Sequence, residues 1–306
     1  MRSWFIKMGF WSLSLVSASV MAQSVPSSSS VVPAPMSAST TTLSPQVSIS
    51  TPEQEQKEIK TLQTALVKFD TKHAVPMNED TQAQWQDWAQ EGWKNSGKTI
   101  DHDQAVVVVN RNAHVQEIAV MIAHPNAPWT LIGVSRTSTG QRGRVQHFIT
   151  PTGVFDHDGS IMDYRALGTK NKYGIRGIGA KGSRVWDFGW QTAQTGWLKK
   201  PEMRTMRLEL HATDPDYLEQ RLGHPASEGC VRIGAGLNKF LDKYGILDAV
   251  YLSEKDKSRA IRALLPKNST PILPGQYMII VSIPTKSSLN QVAMKDKVKP
   301  KVHAKI

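Results

Sequence analysis

At Gln104–Ala123, "QAVVVVNRNAHVQEIAVMIA", the apolar spacing changes from the three-and-four of a helix to the two of a strand. Ala105–Asn110 reads as a buried strand, Arg111–His114 as a turn, and His114–Ala123 alternates as the partner strand. The strand-and-turn pattern continues through "TLIGVSRTSTG" (130–140) and "VQHFITPTGVF" (145–155). "MRLELHA" (206–212) is a further strand and delivers His211 near its end. "ILDAVYL" (246–252) is expected to close the domain as a strand. Two short helices interrupt the pattern. "DPDYLEQRLG" (214–223) has Asp214 as N-cap and Pro215 in its first turn. "AGLNKFLDKYG" (235–245) places Leu237, Phe240 and Leu241 on one face before Gly245 stops it. Residues 104–254 are thus a mainly β (α+β) domain of about 150 residues, enough to bury a sizeable core. A last apolar run, "QYMIIVSI" (276–283), is either a strand docked on the same domain or a marginal one.

Upstream, Thr51-Pro52 starts a helix, with Thr51 as N-cap and the proline in the first turn. Ile59, Leu62, Leu66 and Phe69 give it one apolar face. A second short helix carries Trp85, Trp88 and Trp93, indoles that can stack on sugar rings but are better explained by packing on the main domain. Residues 52–103 are therefore a small helical segment ahead of the β domain. Residues 23–51 hold 18 Ser, Thr or Pro in 29 and no charge, so they cannot build a core and read as a disordered linker. Residues 1–22 have the plan of a signal peptide: Arg2 and Lys7, the apolar stretch Met8–Val20, and a small-x-small site at Val20-Met21-Ala22 before Gln23. That stretch is short for a membrane span of about 20 residues, and no cysteine lies near the cut to take a lipid. The chain is expected to be exported, to a periplasm or cell wall.

The net charge of +11 is unevenly spread. Residues 1–22 contribute +2, and residues 255–306 hold 11 Lys or Arg against Asp256 and Asp296, a further +9. Residues 23–254 therefore balance, with 24 charges of each sign. The basic C-terminal extension, 255–306, is a solvated tail in the preferred reading, and otherwise a contact for anionic wall polymers or a membrane surface. No nucleic-acid motif is present, and nucleic acid is not expected as a partner.

The one cysteine, Cys230, lies in "HPASEGCVRI" (224–233). Oxidising compartments favour paired cysteines, so a lone thiol is an intermolecular bridge, a buried inert group or a nucleophile. A nucleophile needs a base or positive charge beside it. His211 ends a strand 19 positions earlier, and the short helix between brings the chain back. Gly229 permits close backbone approach, and amides around Gly229 and Cys230 offer an oxyanion hole. Arg232 offers a charge to lower the thiol pKa or to bind a substrate carboxylate. The helix near Gly234 starts too far along for its dipole to contribute much. On spacing alone, a buried small side chain and a structurally bonded histidine explain the pair equally well.

Taken together, "LHAT…GHPASEGCVRI", "VSRTSTG" and "TPTGVF" resemble an L,D-transpeptidase catalytic domain of the YkuD type, over about 150 residues and five elements in order. The family signature is a histidine, a gap of about fifteen residues, then Ser/Thr-His-Gly-Cys, a hydrophobic residue and Arg or Asn. Here His211 is followed by 15 residues and then Ser227, Glu228, Gly229, Cys230, Val231 and Arg232. The resemblance implies a β-sandwich-like catalytic domain with Cys230 as nucleophile, His211 as base, the Ala212 carbonyl orienting the imidazole, and Gly229 shaping the loop. It implies acyl transfer on peptidoglycan stems: a tetrapeptide donor loses its terminal D-alanine to give a thioester, and a diaminopimelate-type amine resolves it. Ser227, Glu228, Arg232, His224 and Trp190 are the candidate substrate contacts.

Glu228 departs from the pattern, standing where the family has a second histidine. It is expected to point away from the thiol, toward Arg232 or a substrate amine, with His224 partly replacing the imidazole. The long segment between Ile161 and Arg204 corresponds to a lid, so Tyr173, Trp186, Phe188 and Trp190 are candidates to shape the stem groove, with ordinary packing an equal alternative. Gly177–Gly182 matches a dinucleotide-binding pattern by letters without a βαβ unit, and "DHDGS" (156–160) lacks the later ligands of a calcium loop. No cofactor or metal is called for. The alternatives are an L,D-carboxypeptidase or endopeptidase on the same Cys/His site, and a catalytically silent wall-binding module.

Overall fold

The computed structural model describes residues 51–285. The stretch read as a signal peptide, nearly all of the stretch read as a linker, and the chain beyond residue 285 lie outside the described residues. Helix α1 (Pro52–Phe69) begins where Thr51 accepts a hydrogen bond from the Gln54 amide at 3.3 Å, with Glu53 and Glu55 in its first turn. Helix α2 (Glu79–Trp93) begins with a capping box between Asn78 and Thr81. Between them a two-residue strand, β1 (Ala74–Val75), pairs with the sheet. Then follow β2 (Gln104–Asn110), β3 (Glu117–Ala123), β4 (Thr130–Arg136), β5 (Phe148–Ile149), β6 (Gly153–Asp156) and β7 (Tyr164–Arg165). Two long strands, β8 (Arg184–Thr195) and β9 (Met203–Ala212), form a hairpin, and β10 (Val231–Ile233) lies parallel to β9. Helices α3 (Ala235–Tyr244), α4 (Ala249–Glu254) and α5 (Arg259–Leu264) precede the last strand, β11 (Tyr277–Val281).

The fold is mainly β within an α+β arrangement, built on two sheets. One has the order β1-β4-β3-β2-β11-β6, and the other β10-β9-β8-β5 with β7 paired to β8. Alternation along β2 explains why every residue of it is buried. Ala105, Val107 and Val109 enter a core shared with Trp186 of β8, Leu208 and Leu210 of β9, Val231 and Ile233 of β10, and Leu237, Phe240 and Leu241 of α3. Val106 and Val108 enter a second core under α2, with Trp85, Trp88 and Trp129. A strand covered on both faces reads as a continuous apolar run. Trp85 and Trp88 pack edge-to-face at 4.9 Å, and Trp93 packs on Trp129 and Tyr277, so these indoles are core groups and not a sugar platform.

Several expectations are corrected. "ILDAVYL" forms no strand: Ile246 and Leu247 are buried in a turn and Ala249–Glu254 is α4. Leu247 and Tyr251 stand four residues apart, which fits one helical face as well as it fits alternation. The turn is held because the Asp248 carboxylate accepts from buried Arg184 at 2.9 Å. The boundary at 254 is also too early. β11 sits between β2, to which it runs parallel over five residue pairs, and β6, so the chain up to Val281 belongs to the domain. α1 is likewise part of it, through Ile59, Leu62, Ala65 and Leu66 in the shared core. Between 214 and 223 only Glu219–Arg221 is helical, as one 3-10 turn, and Asp214 instead accepts the amides of Asp216 and Tyr217. Within the supposed lid, Trp186 and Phe188 are core residues on β8 and shape no groove. Asp158 caps the Ser160 amide, and His157 is buried against Asp163.

Candidate active site

Parallel pairing of β10 with β9 aligns Arg232 with His211 and Val231 with Leu210, which places Cys230, one residue ahead of β10, beside Glu209. The period of two on β9 sends Met206, Leu208, Leu210 and Ala212 into the core, and leaves Arg207, Glu209 and His211 on the opposite face. On that face the Cys230 sulfur, an imidazole nitrogen of His211 and a carboxylate oxygen of Glu209 all lie within 4.8 Å of one another. His211 Nδ1 contacts the Ala212 carbonyl at 2.7 Å. A carbonyl only accepts, so Nδ1 carries the proton and Nε2 keeps the lone pair of a base.

Burial pushes His211 down to about 4, helped by the Arg232 charge and opposed by the Ala212 carbonyl. Burial pushes the Cys230 thiol up to about 12, and the Glu209 and Glu228 charges add to the rise. The Glu209 backbone amide and the Arg232 charge pull the other way without prevailing. At rest the pair is therefore neutral thiol and neutral imidazole, with the thiol donating weakly to the Arg207 carbonyl at 3.6 Å.

The cysteine loop is fastened by the two upstream blocks. Ser138 and Arg232 exchange backbone hydrogen bonds at 2.9 Å, and the Ala226 and Ser227 amides donate to the Thr139 carbonyl. Thr150 Oγ1 accepts from the Gly140 amide at 2.8 Å and donates to the Gly229 carbonyl at 2.6 Å. Phe148 N–H donates to the Glu228 carbonyl, and His147 Nδ1 bonds the Ser227 carbonyl at 2.9 Å. Gly229 has φ of +141°, and a Cβ there would stand 2.8 Å from the Met206 thioether, so this position demands glycine on two counts.

The remaining sequence candidates divide. Ser227 is fully buried, with its Oγ donating to the Cys230 carbonyl at 2.6 Å and accepting from Gly229 N–H at 3.1 Å. It braces the loop and is not open to substrate, and the Gly229 amide is engaged rather than free for an oxyanion. Glu228 is exposed; its charge reaches Arg232, but no side-chain hydrogen bond joins them. His224 is exposed, and only its main chain is engaged, the carbonyl accepting from Ser138 Oγ at 2.6 Å and the amide donating to the Arg221 carbonyl at 3.2 Å; its imidazole does not take the place of a second histidine at the thiol. Arg232 Nη1 donates to the Ala226 carbonyl at 3.1 Å, while its buried Nε has no hydrogen-bond partner. Trp190 is 62% exposed, pairs with Arg207 across the hairpin, and has that guanidinium 5.8 Å from its ring. Tyr173 is 72% exposed on the 166–183 loop.

Glu209 and Tyr164 did not stand out in the sequence. The Tyr164 hydroxyl donates to Glu209 Oε1 at 2.9 Å. Counting back two from His211 along a strand finds Glu209, whereas Tyr164 arrives from a distant strand and has no local signal. Elsewhere Glu55, Asp103 and His124 cluster, with His124 donating to Asp103 at 2.9 Å, contacting Thr130 at 3.0 Å and lying 3.4 Å from Glu55. A groove of about 910 Å³ along α1 includes neither Cys230 nor His211. Neither the family models nor the curated proteins compared with this chain match it.

Proposed function

We propose that this chain is an exported L,D-transpeptidase of the YkuD type, acting on peptidoglycan stem peptides through a Cys230 thioester. The observation that carries the reading is the His211 imidazole, fixed by the Ala212 carbonyl in the tautomer that leaves a base free, with a ring nitrogen within 4.8 Å of the only thiol in the chain. In the first step His211 Nε2 takes the thiol proton as sulfur attacks the carbonyl that precedes the donor's terminal D-alanine. The tetrahedral adduct collapses, His211 returns the proton to the departing amine, and the acyl group stays on sulfur. In the second step an amine from another stem attacks the thioester, and the thiol is regenerated. A backbone carbonyl suits the orienting task because it adds no charge to a site that already contains Glu209.

The same site would hydrolyse the thioester if water were the acceptor, which would make the protein an L,D-carboxypeptidase. Incubating the purified protein with disaccharide-tetrapeptide and following intact mass and soluble products separates these outcomes. The expected result is a mass increase that is absent in Cys230→Ala, release of D-alanine, and a cross-linked dimer. Folded protein that gives no adduct and no product would overturn the reading and favour a wall-binding module.

A further inference from the structure

The carboxyl of Glu209 is an unexpected neighbour for a nucleophilic thiol, because its negative charge opposes the thiolate that attack requires. No ion pair offsets it among the described residues. Arg207, two residues before Glu209 on the same face of β9, is bound to Asp187 through Nε at 2.7 Å, and Arg232 donates to the Ala226 carbonyl. Burial, with the Asp187 and Asp163 charges, holds the Glu209 carboxyl above its ordinary value, against the Tyr164 hydrogen bond and the Arg207 charge. Its Oε1 is fixed by the Tyr164 hydroxyl, itself carried on β7 against β8, and no hydrogen bond to Oε2 is found among the described residues. The carboxyl is thus held in place and partly buried beside the reacting sulfur, with no cation hydrogen-bonded to it among the described residues.

We infer that Glu209, positioned by Tyr164, binds the ammonium of the incoming acceptor and takes a proton from it, which selects a cationic amine over water as acceptor. This rests on the transpeptidase reading above. The step balances as follows. Acceptor R–NH3+ gives one proton to the Glu209 carboxylate, which passes it to solvent. The resulting R–NH2 attacks the thioester carbon, the C–S bond breaks, and the electron pair returns to Cys230 sulfur. The second nitrogen proton moves through His211 to that sulfur, leaving an amide, a free thiol and one proton released. The charge that hinders the resting thiolate thereby serves the second half of the reaction.

The test is acceptor competition. Wild type, Glu209→Gln, Glu209→Asp and Tyr164→Phe are each given disaccharide-tetrapeptide with equal amounts of Nα-acetyl-lysine, a cationic amine, and hydroxylamine, which is uncharged at neutral pH. Products are counted by mass spectrometry. The ratio of lysine amide to hydroxamate is expected to fall at least tenfold in Glu209→Gln, to recover partly in Glu209→Asp, and to fall severalfold in Tyr164→Phe. A structural defect would lower both products and leave the ratio unmoved. An unchanged ratio in Glu209→Gln, with hydroxamate still formed, overturns the inference alone. If Glu209→Gln does not fold, Tyr164→Phe decides by the same ratio. Wild type that forms no Cys230 adduct overturns the transpeptidase reading and this inference with it, whereas wild type that acylates but yields only hydrolysed donor overturns the inference and leaves a hydrolase.

Discussion

With Cys230 pushed up to about 12 and His211 pushed down to about 4, no standing thiolate–imidazolium pair exists at neutral pH. On the proposed acyl-transfer reading, the proton moves as the sulfur–carbon bond forms, once substrate has changed the surroundings of both groups. Iodoacetamide, which reads free thiolate, should therefore alkylate Cys230 slowly at pH 7, with a rate that climbs through the alkaline range. A rate that levels off below pH 7 would show a preformed thiolate instead. Gly229→Ala should unfold at lower temperature, because alanine at φ +141° is strained and its Cβ meets Met206; backbone strain of this kind costs about 1–3 kcal/mol. Adding Met206→Ala should not restore wild-type stability, since the backbone penalty persists; full recovery would assign the whole effect to packing. Spacing made Cys230 and His211 a candidate pair without deciding between a reactive and a structural role, and the part given to the Ala212 carbonyl came from the family resemblance alone. Thr150 lies in the quoted "TPTGVF" block, but its grip on the Gly229 carbonyl 79 positions away was not readable there, and Tyr164, 45 positions from Glu209, left no trace at all.

Among the elements, β11 carries the most consequence for its length. It pairs with β2 on one side and β6 on the other, and contributes Met278 and Ile280 to one core and Ile279 and Val281 to the other. A chain ending at Glu254 would leave two strand edges open in the middle of a sheet and both cores short of side chains. It should be insoluble or lack a cooperative thermal transition. Cooperative melting of the shorter chain, measured by circular dichroism, would contradict the topology. β2, β3, α1 and α3 were readable because their own periodicity and caps specify them. The place of β11 was not, because a parallel strand inserted from 170 residues downstream is chosen by long-range packing. α4 was misread for a local reason: Ile246–Leu252 satisfies both periods, and a buried ion pair through Asp248 selects the helix.

Across the whole molecule, two buried histidines of opposite character should shape the dependence of stability on pH. His157 donates through both nitrogens, to Asp163 at 2.7 Å and the Leu247 carbonyl at 2.6 Å, in a network with Arg184 and Asp248 that ties β8 to α4. Burial would lower His157, but the Asp163 hydrogen bond and charge, with the Asp248 charge, hold it above its ordinary value. Its contribution is complete below the unfolded value of 6.5 and is lost as pH rises through the folded one. His211 behaves in reverse. The unfolded chain takes up a proton near 6.5 that the native site refuses until about 4, so stability falls as pH drops through that window. The loss is about 3 kcal/mol when complete, from 1.36 kcal/mol per pH unit. The two histidine contributions are thus jointly greatest close to pH 6.5. His211→Asn should flatten the acid side between pH 6.5 and 4.5 relative to wild type, the raised carboxyls of Asp70, Glu117, Glu209 and Asp248 being common to both proteins so that the difference reads His211. Urea unfolding of wild type and variant at half-unit steps of pH checks this. Equal acid slopes in the two proteins would mean that His211 is not held neutral in the folded state, and would remove the basis for treating it as the resting base.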